Sequence, residues 1–124
     1  MVIINNLDYL CIKHGQKLPR NKESERIIRK ALGILQEDGL YAMFLWLEVN
    51  GSEIRKKTIN LFNEESIIRE TLEINNDVPE FFGEFCKVLA KIAQDLDKLL
   101  FLKKIFERIF IYALYHAKIG EQNE

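Results

Sequence analysis

The side chains with the widest chemical range in this 124-residue sequence are two cysteines and two histidines. Cys11 and His14 are three positions apart, a spacing that places two potential metal ligands on one face of a helix. A zinc site needs three or four ligands, and only Cys86 and His116 remain, each alone in its own segment. We therefore expect no metal or other cofactor, and interpret the pair as a buried cysteine beside a surface histidine. Two cysteines are too few for a disulfide framework, which indicates a reducing, intracellular setting.

No arrangement typical of a catalytic centre occurs in the sequence. The glycines form neither a phosphate-binding loop nor a dinucleotide fingerprint, and there is no Gly-x-Ser-x-Gly segment. Asp95 and Asp97 are two residues apart, so on a helix their carboxylates point in different directions. Glu64 and Glu65 are explained by the preference for acidic residues at the start of a helix. We predict that the protein is not an enzyme and that it acts by binding a partner.

Charge is more informative, because a net charge of −1 hides two strongly charged segments. Residues 9–36 hold seven Lys and Arg against two Glu, a net charge of +5. Residues 58–84 hold seven acids against Arg69 alone, a net charge of −6. Two explanations fit this pattern. Either the segments pair within one molecule, or the basic segment meets a phosphate backbone or the acidic segment of a neighbouring copy.

The helical period separates basic from apolar residues in two segments. With about 100° between successive residues, the first segment places four bases on one face, namely Lys22, Arg26, Arg29 and Lys30. The last helix repeats this arrangement with Lys104, Arg108, Tyr115 and Lys118. Exposed bases beside tyrosine suit contact with nucleic-acid phosphates and stacking on nucleobases. The ordinary alternative is that any amphipathic helix turns Lys and Arg outward and half-buries Tyr.

The two basic faces require helices, and the sequence predicts helices along almost the whole chain. Asp38-Gly39 and Asn50-Gly51 are typical helix ends. Leu40–Asn50 is apolar on all sides, so its period fits a buried strand as well as a buried helix, and its Ala, Met and Leu content favours the helix. The predicted helices are Val2–Lys13 (ended by His14-Gly15), Lys22–Glu37 (capped by Asn21), Leu40–Asn50, Glu53–Phe62 and Glu64–Ile74 (one helix, or two divided near Asn63), Val78–Gln94 (capped by Asp77) and Leu96–Ile119 (ended by Gly120).

The predicted fold is all-α, a single-domain bundle of five to seven helices over residues 1–124. No apolar run approaches the roughly 20 residues of a membrane-spanning helix, and the polar N-terminus does not fit a signal peptide. We expect a cytoplasmic protein without membrane contact. The residues predicted to face the core are Ile27, Ile28, Ala31, Ile34 and Leu35, and in the last helix Leu102, Phe106, Ile109, Ala113 and Ala117.

Two segments resemble a known family. Lys30–Glu48 (KALGILQEDGLYAMFLWLE) and Leu100–Lys118 (LFLKKIFERIFIYALYHAK) are similar to the small all-helical subunit of type III CRISPR effector complexes, especially the archaeal Cmr-type small subunit. The similar features are a helix, a Gly39-Leu40 break, a buried apolar helix and a long aromatic-rich last helix. They cover about a third of the chain and are a pattern without signature residues.

The resemblance implies a non-catalytic, CRISPR-associated protein of antiviral defence. In that family several copies stack head to tail and form a basic groove for the target strand paired to the CRISPR RNA, while other subunits hold the cleaving residues. The implied partners are RNA, as duplex or single strand, and other subunits of the effector complex. Self-stacking through the acidic region Glu64–Glu84 is also implied. The nucleic-acid-binding positions carried over are the basic ones, Lys22, Arg26, Arg29, Lys30, Lys104 and Arg108.

Two other functions stay open at this point. A helical protein–protein adaptor or homo-oligomer without nucleic-acid binding would use the apolar residues of Tyr41–Trp46 or Phe81–Phe85. A DNA-binding helix-turn-helix regulator would use Lys22–Glu37, but the helix after Gly39 is too apolar to serve as a recognition helix.

Overall fold

Helices make up most of the described chain. A computed structural model describes residues 2–123, with the side chains of residues 7–119. Within residues 2–123 there are seven helices and no strand, so the all-α prediction is confirmed. The helices are α1 (Val2–Lys17), α2 (Lys22–Asp38), α3 (Leu40–Asn50), α4 (Ser52–Glu64), α5 (Ser66–Leu72), α6 (Phe82–Ala93) and α7 (Leu96–Asn123). None of the described helices combines the length and the hydropathy that crossing a membrane requires.

The long helix α7 is the centre of the bundle. Helices α1 and α2 pack along it, and α3 and α6 also contact it. Helix α3 in turn packs against α2, α4 and α6. The buried side chains of these elements join into one hydrophobic core.

Phenylalanine rings fill the middle of that core. Phe44 of α3 meets the ring of Phe85 at 5.0 Å and that of Phe106 at 5.2 Å, both edge to face. Phe62 of α4 lies 5.7 Å from Phe85 in the same geometry. Aromatic pairs prefer this arrangement because the positive edge of one ring faces the negative face of the other. The rings thus hold α3, α4, α6 and α7 together.

The buried faces of α2 and α7 agree with the predicted core. Of the five core residues predicted in α2, Ile34 is half-buried and the other four are buried, namely Ile27, Ile28, Ala31 and Leu35. All the predicted residues of α7 are buried: Leu102, Phe106, Ile109, Ala113 and Ala117. The start of α2 is also confirmed, because the Asn21 side chain accepts a hydrogen bond from the Ser24 backbone N–H at 2.8 Å.

The segment Leu40–Asn50 is a helix, as predicted, but it is buried on one side only. Its core side consists of Leu40, Met43, Phe44 and Leu47. Its other apolar side chains include Tyr41, Leu45 and Val49, which are exposed.

The predicted end of the first helix at His14-Gly15 is wrong, because α1 continues to Lys17. A Cβ atom at Gly15 would lie 3.0 Å from the carbonyl oxygen of Ile109 and 3.1 Å from the Cβ of Tyr112. Gly15 therefore serves the close approach of α1 to α7 and does not end the helix.

The predicted start of the sixth helix at Val78 is also wrong, because α6 begins at Phe82. The side-chain amide of Asn63 donates to the Val78 carbonyl at 3.1 Å, and its oxygen accepts from the Val78 N–H at 2.7 Å. These bonds tie the non-helical backbone at Val78 to α4, so Asp77 caps no helix. Smaller differences are the break between α4 and α5 at Glu65 and the passage of α7 through Gly120 to Asn123.

Candidate nucleic-acid interface

All six predicted nucleic-acid-binding side chains are exposed. Four of them lie on the outward side of α2, opposite its buried face, and two lie on the outward side of α7. Because α2 and α7 pack directly against each other, both basic stripes belong to neighbouring helices of the bundle. The residues are Lys22, Arg26, Arg29 and Lys30 on α2, and Lys104 and Arg108 on α7.

Each of the three arginines has a carboxylate partner within the molecule. Arg26 lies 2.6 Å from Glu23 and Arg29 lies 2.8 Å from Glu25, both one turn away on α2. The Arg26 guanidinium bonds to Glu23 and thereby lowers the pKa of that carboxyl. Ion pairs of this kind between exposed side chains add little stability and weaken in salt. A phosphate group can replace these carboxylates with little loss of protein stability.

Arg108 is placed by α1. Its guanidinium lies 3.4 Å from Asp8, and the same carboxylate accepts a 2.6 Å hydrogen bond from the Tyr112 hydroxyl. That hydrogen bond raises the pKa of Tyr112. Tyr112 is therefore held at the α1–α7 contact, whereas Tyr115 is 63% exposed and free to stack.

The lysines differ from the arginines in their partners. No carboxylate of residues 7–119 lies within ion-pair distance of Lys22, Lys30 or Lys104. These three ammonium groups are uncompensated positive charges on the α2 and α7 faces, and exposed lysines elsewhere, such as Lys56 and Lys91, are also without an ion pair among the described side chains.

The basic segment of residues 9–36 also pairs with the acidic segment of the same molecule. Lys13 lies 2.8 Å from Glu65, and Lys17 lies 3.5 Å from Glu64. His14 completes the cluster with its Nε2 atom 2.7 Å from Glu65. The first explanation of the charge pattern, pairing within one molecule, thus holds for the end of α1. Glu64 and Glu65 end α4 and precede α5, so they connect elements and do not merely favour a helix start.

His14 is buried, so its interpretation as a surface histidine is wrong. Burial lowers the pKa of His14, although the hydrogen bond with Glu65 acts in the opposite direction. The neutral ring therefore donates its Nε2 proton to the carboxylate. Burial opposes ionisation of Glu65 as well, but bonds from Lys13 and His14 outweigh this and lower the pKa of Glu65.

Cys11 is buried as predicted, and its thiol lies 3.8 Å from the Ile105 carbonyl. Burial raises the pKa of Cys11 to about 11, so its reactive thiolate form is scarce at neutral pH. Within the described residues no three His, Cys, Asp or Glu side chains are placed to hold a metal ion.

A buried arginine, Arg55 of α4, is a feature that the sequence did not indicate. Its guanidinium lies 3.1 Å from Glu48 of α3 and donates to the Glu80 carbonyl at 2.8 Å. It also lies 5.2 Å from the ring centres of Phe82 and Phe85. No local pattern reveals these contacts, because the partners come from three other segments.

A cleft of about 520 Å³ lies between the loop of residues 73–78 and the junction of α6 with α7. Its charged lining includes Glu73 and Lys98, which form a 3.1 Å ion pair. No Ser, Thr, Cys, His or Tyr belongs to its lining.

Comparison with known proteins adds no relative. Neither the protein-family models, nor the curated proteins, nor the solved structures include a match to this chain.

Proposed function

We propose that this chain is a non-catalytic small subunit of a cytoplasmic CRISPR ribonucleoprotein effector complex, in which it binds the RNA backbone. The observation that supports this proposal is the exposure of six bases on two helices that pack against each other. Three of the six lack a carboxylate partner among the described side chains, and the other three have exchangeable surface partners. These Lys and Arg side chains contact phosphates, so binding does not depend on the RNA sequence.

The site lies on helix surfaces and contains no deep pocket. Such a surface suits an extended RNA backbone, since each Lys or Arg side chain meets one phosphate. Tyr115 offers a ring on which an unpaired nucleobase stacks. Other subunits of the complex supply the catalytic residues. Self-stacking through Glu64–Glu84 gains no separate support, because Glu65 is held within the molecule by Lys13 and the exposed pairs of Glu64, Glu73 and Glu84 are exchangeable in the same way as the arginine pairs.

A salt series of RNA binding tests the proposal. Fluorescence anisotropy with a labelled single-stranded RNA should show binding whose log K falls with log salt at a slope of about −4, since each of six contacts contributes about −0.7. The labelled RNA should remain intact after incubation. A slope near zero, absence of binding, or cleavage of the RNA would contradict the proposal, and absence of binding would favour an adaptor role.

A further inference from the structure

The outward side of α3 is an apolar surface that no side chain of residues 7–119 covers. Tyr41, Leu45 and Val49 follow one another at intervals of one turn, and their exposed fractions are 40%, 45% and 84%. A helix at the surface of a globular protein normally turns polar residues outward. Contiguous exposed apolar side chains instead mark sites of protein contact.

The start of α6 extends this surface. Helix α3 packs against α6, and the Phe44 ring of α3 lies 5.0 Å from the Phe85 ring of α6. Near the end of α3, Arg55 joins Glu48 to the Glu80 carbonyl, directly before Phe81. Phe81 is 75% exposed. We call Tyr41, Leu45, Val49 and Phe81 the α3–α6 patch.

The two chain segments that carry the patch contain acids and no bases, and the bases that follow them in sequence are Arg55, Lys56 and Lys57 of α4 and Lys87 of α6. Residues 37–53 and 77–86 contain no Lys, Arg or His. Glu48 is paired with Arg55 and Glu84 with Lys87, and the remaining acids form no ion pair with any side chain of residues 7–119. The seven carboxylates are Glu37, Asp38, Glu48, Glu53, Asp77, Glu80 and Glu84.

We propose that the α3–α6 patch binds an amphipathic helix of another protein whose apolar stripe is flanked by Lys and Arg. The apolar residues supply the contact area, and the surrounding carboxylates select basic flanks. From Tyr41 to Val49 the patch measures about 12 Å, which matches about two turns of a partner helix. The same carboxylates repel phosphate backbones and anionic lipid surfaces. This site is therefore separate from the surface proposed for RNA.

A second copy of the chain fits less well. Its outward α7 face is also basic and carries exposed Leu100 and Ile111. However, Lys104 and Arg108 lie between these two residues along the helix, so bases occupy the centre of that face. The partner of the α3–α6 patch needs an unbroken apolar stripe with the bases at its edges.

Two synthetic helical peptides test the inference. Both carry leucine at positions i, i+4 and i+8, with lysine flanks in one and glutamate flanks in the other. Trp46, the only tryptophan, is half-buried on α3 and reports binding through its fluorescence. The lysine peptide should bind, and the glutamate peptide should bind at least about tenfold more weakly.

Variants locate the binding site. Leu45→Ser with Val49→Ser should weaken binding of the lysine peptide by at least about tenfold. The matched change of two exposed apolar residues on α7, Leu96→Ser with Ile119→Ser, should leave binding intact. Glu80→Lys with Glu84→Lys changes only exposed side chains and leaves five of the seven carboxylates, so it should weaken binding of the lysine peptide and narrow its advantage over the glutamate peptide, which tests the inference even if the serine variant unfolds.

Three outcomes would overturn the inference. They are equal binding of both peptides, no binding of either peptide, and a dimer of the free protein in light scattering that the Leu45→Ser/Val49→Ser variant abolishes. The last result would show that a second copy covers the patch.

Discussion

The Arg55 guanidinium joins three helices at one buried point. It contacts a carboxylate of α3, a backbone carbonyl before α6 and two phenylalanine rings of α6. A buried cation is stable only when its charge and its N–H groups are satisfied, and these contacts satisfy them. Arg55 thereby fixes the relative positions of α3 and α6, the two elements that form the apolar patch.

Replacing Arg55 with methionine should destabilise the protein by about 3 kcal/mol, because Glu48 and the Glu80 carbonyl lose their partner. Urea unfolding measures this change. Lys56→Met is the matched control, since Lys56 is the next residue of α4 and is exposed. The control should change the free energy of unfolding by less than about 0.5 kcal/mol. Equal effects of the two substitutions would show that the Arg55 contacts do not stabilise the fold.

His14 gives the stability a defined pH dependence. Its pKa in the folded protein lies below the ordinary value of 6.5, so below pH 6.5 the unfolded chain binds more protons than the folded protein. Stability is therefore full above pH 6.5 and declines as the pH falls toward the folded pKa. Glu65, whose pKa lies below 4.5, contributes its own loss only at lower pH.

The free energy of unfolding should accordingly decrease between pH 6.5 and 4.5, and His14→Gln should remove most of that decrease. Urea titrations at a series of pH values measure it. His116→Gln is the control, because it removes the other histidine and leaves the buried one in place. If the His116 variant, and not the His14 variant, flattened the profile, the assignment to His14 would be wrong.

At the scale of the elements, the contact of α1 with α7 decides how the bundle closes. Gly15 allows the two helices to approach, and Asp8 connects α1 to Arg108 and Tyr112 of α7. The same contact therefore sets the packing distance and places one of the proposed RNA-binding side chains.

Gly15→Ala should destabilise the protein by about 1–3 kcal/mol, because the new methyl group meets the backbone of α7. Gly33→Ala provides a contrast within α2, where a Cβ atom meets nothing within 4 Å. That variant should gain about 0.5–1 kcal/mol, since alanine favours the helix over glycine. Thermal melts of both variants measure the two effects. Stabilisation by Gly15→Ala would contradict the close packing of α1 on α7.

Local sequence signals predicted some elements well and failed where distant residues decide. Helix α2 has an Asn21 cap, a clear apolar period and a Gly39 end, so its bounds follow within one residue. The end of α1 depends on its packing against α7, and the start of α6 depends on the Asn63 side chain. A local sequence pattern includes neither of these contacts. The exposure of the six basic side chains follows from helical periodicity, which is local, so it was predictable. Distant residues determine the burial of His14 and the contacts of Arg55, which were not predictable, and the arginine ion pairs were not predicted either.

At the scale of the whole molecule, both proposed functions depend on the distribution of charge and not on the net charge. A net charge of −1 gives no general attraction to RNA. The α2 and α7 faces keep uncompensated lysines, while the two chain segments that carry the α3–α6 patch contain acids and no bases. The molecule thus offers two surfaces of opposite character, one proposed for a polyanion and one for a basic helix.

Removing two unpaired lysines tests the proposed RNA surface most directly. Lys30→Gln with Lys104→Gln takes one charge from each helix without leaving a carboxylate unpaired, and Lys56→Gln with Lys91→Gln removes two exposed charges elsewhere. In RNA anisotropy titrations over a salt series, the first variant should bind more weakly and reduce the slope by about 1.4, from about −4.2 to about −2.8. The second should match the unmodified protein. Equal slopes for all three proteins, or a loss only in the second variant, would contradict RNA binding by α2 and α7.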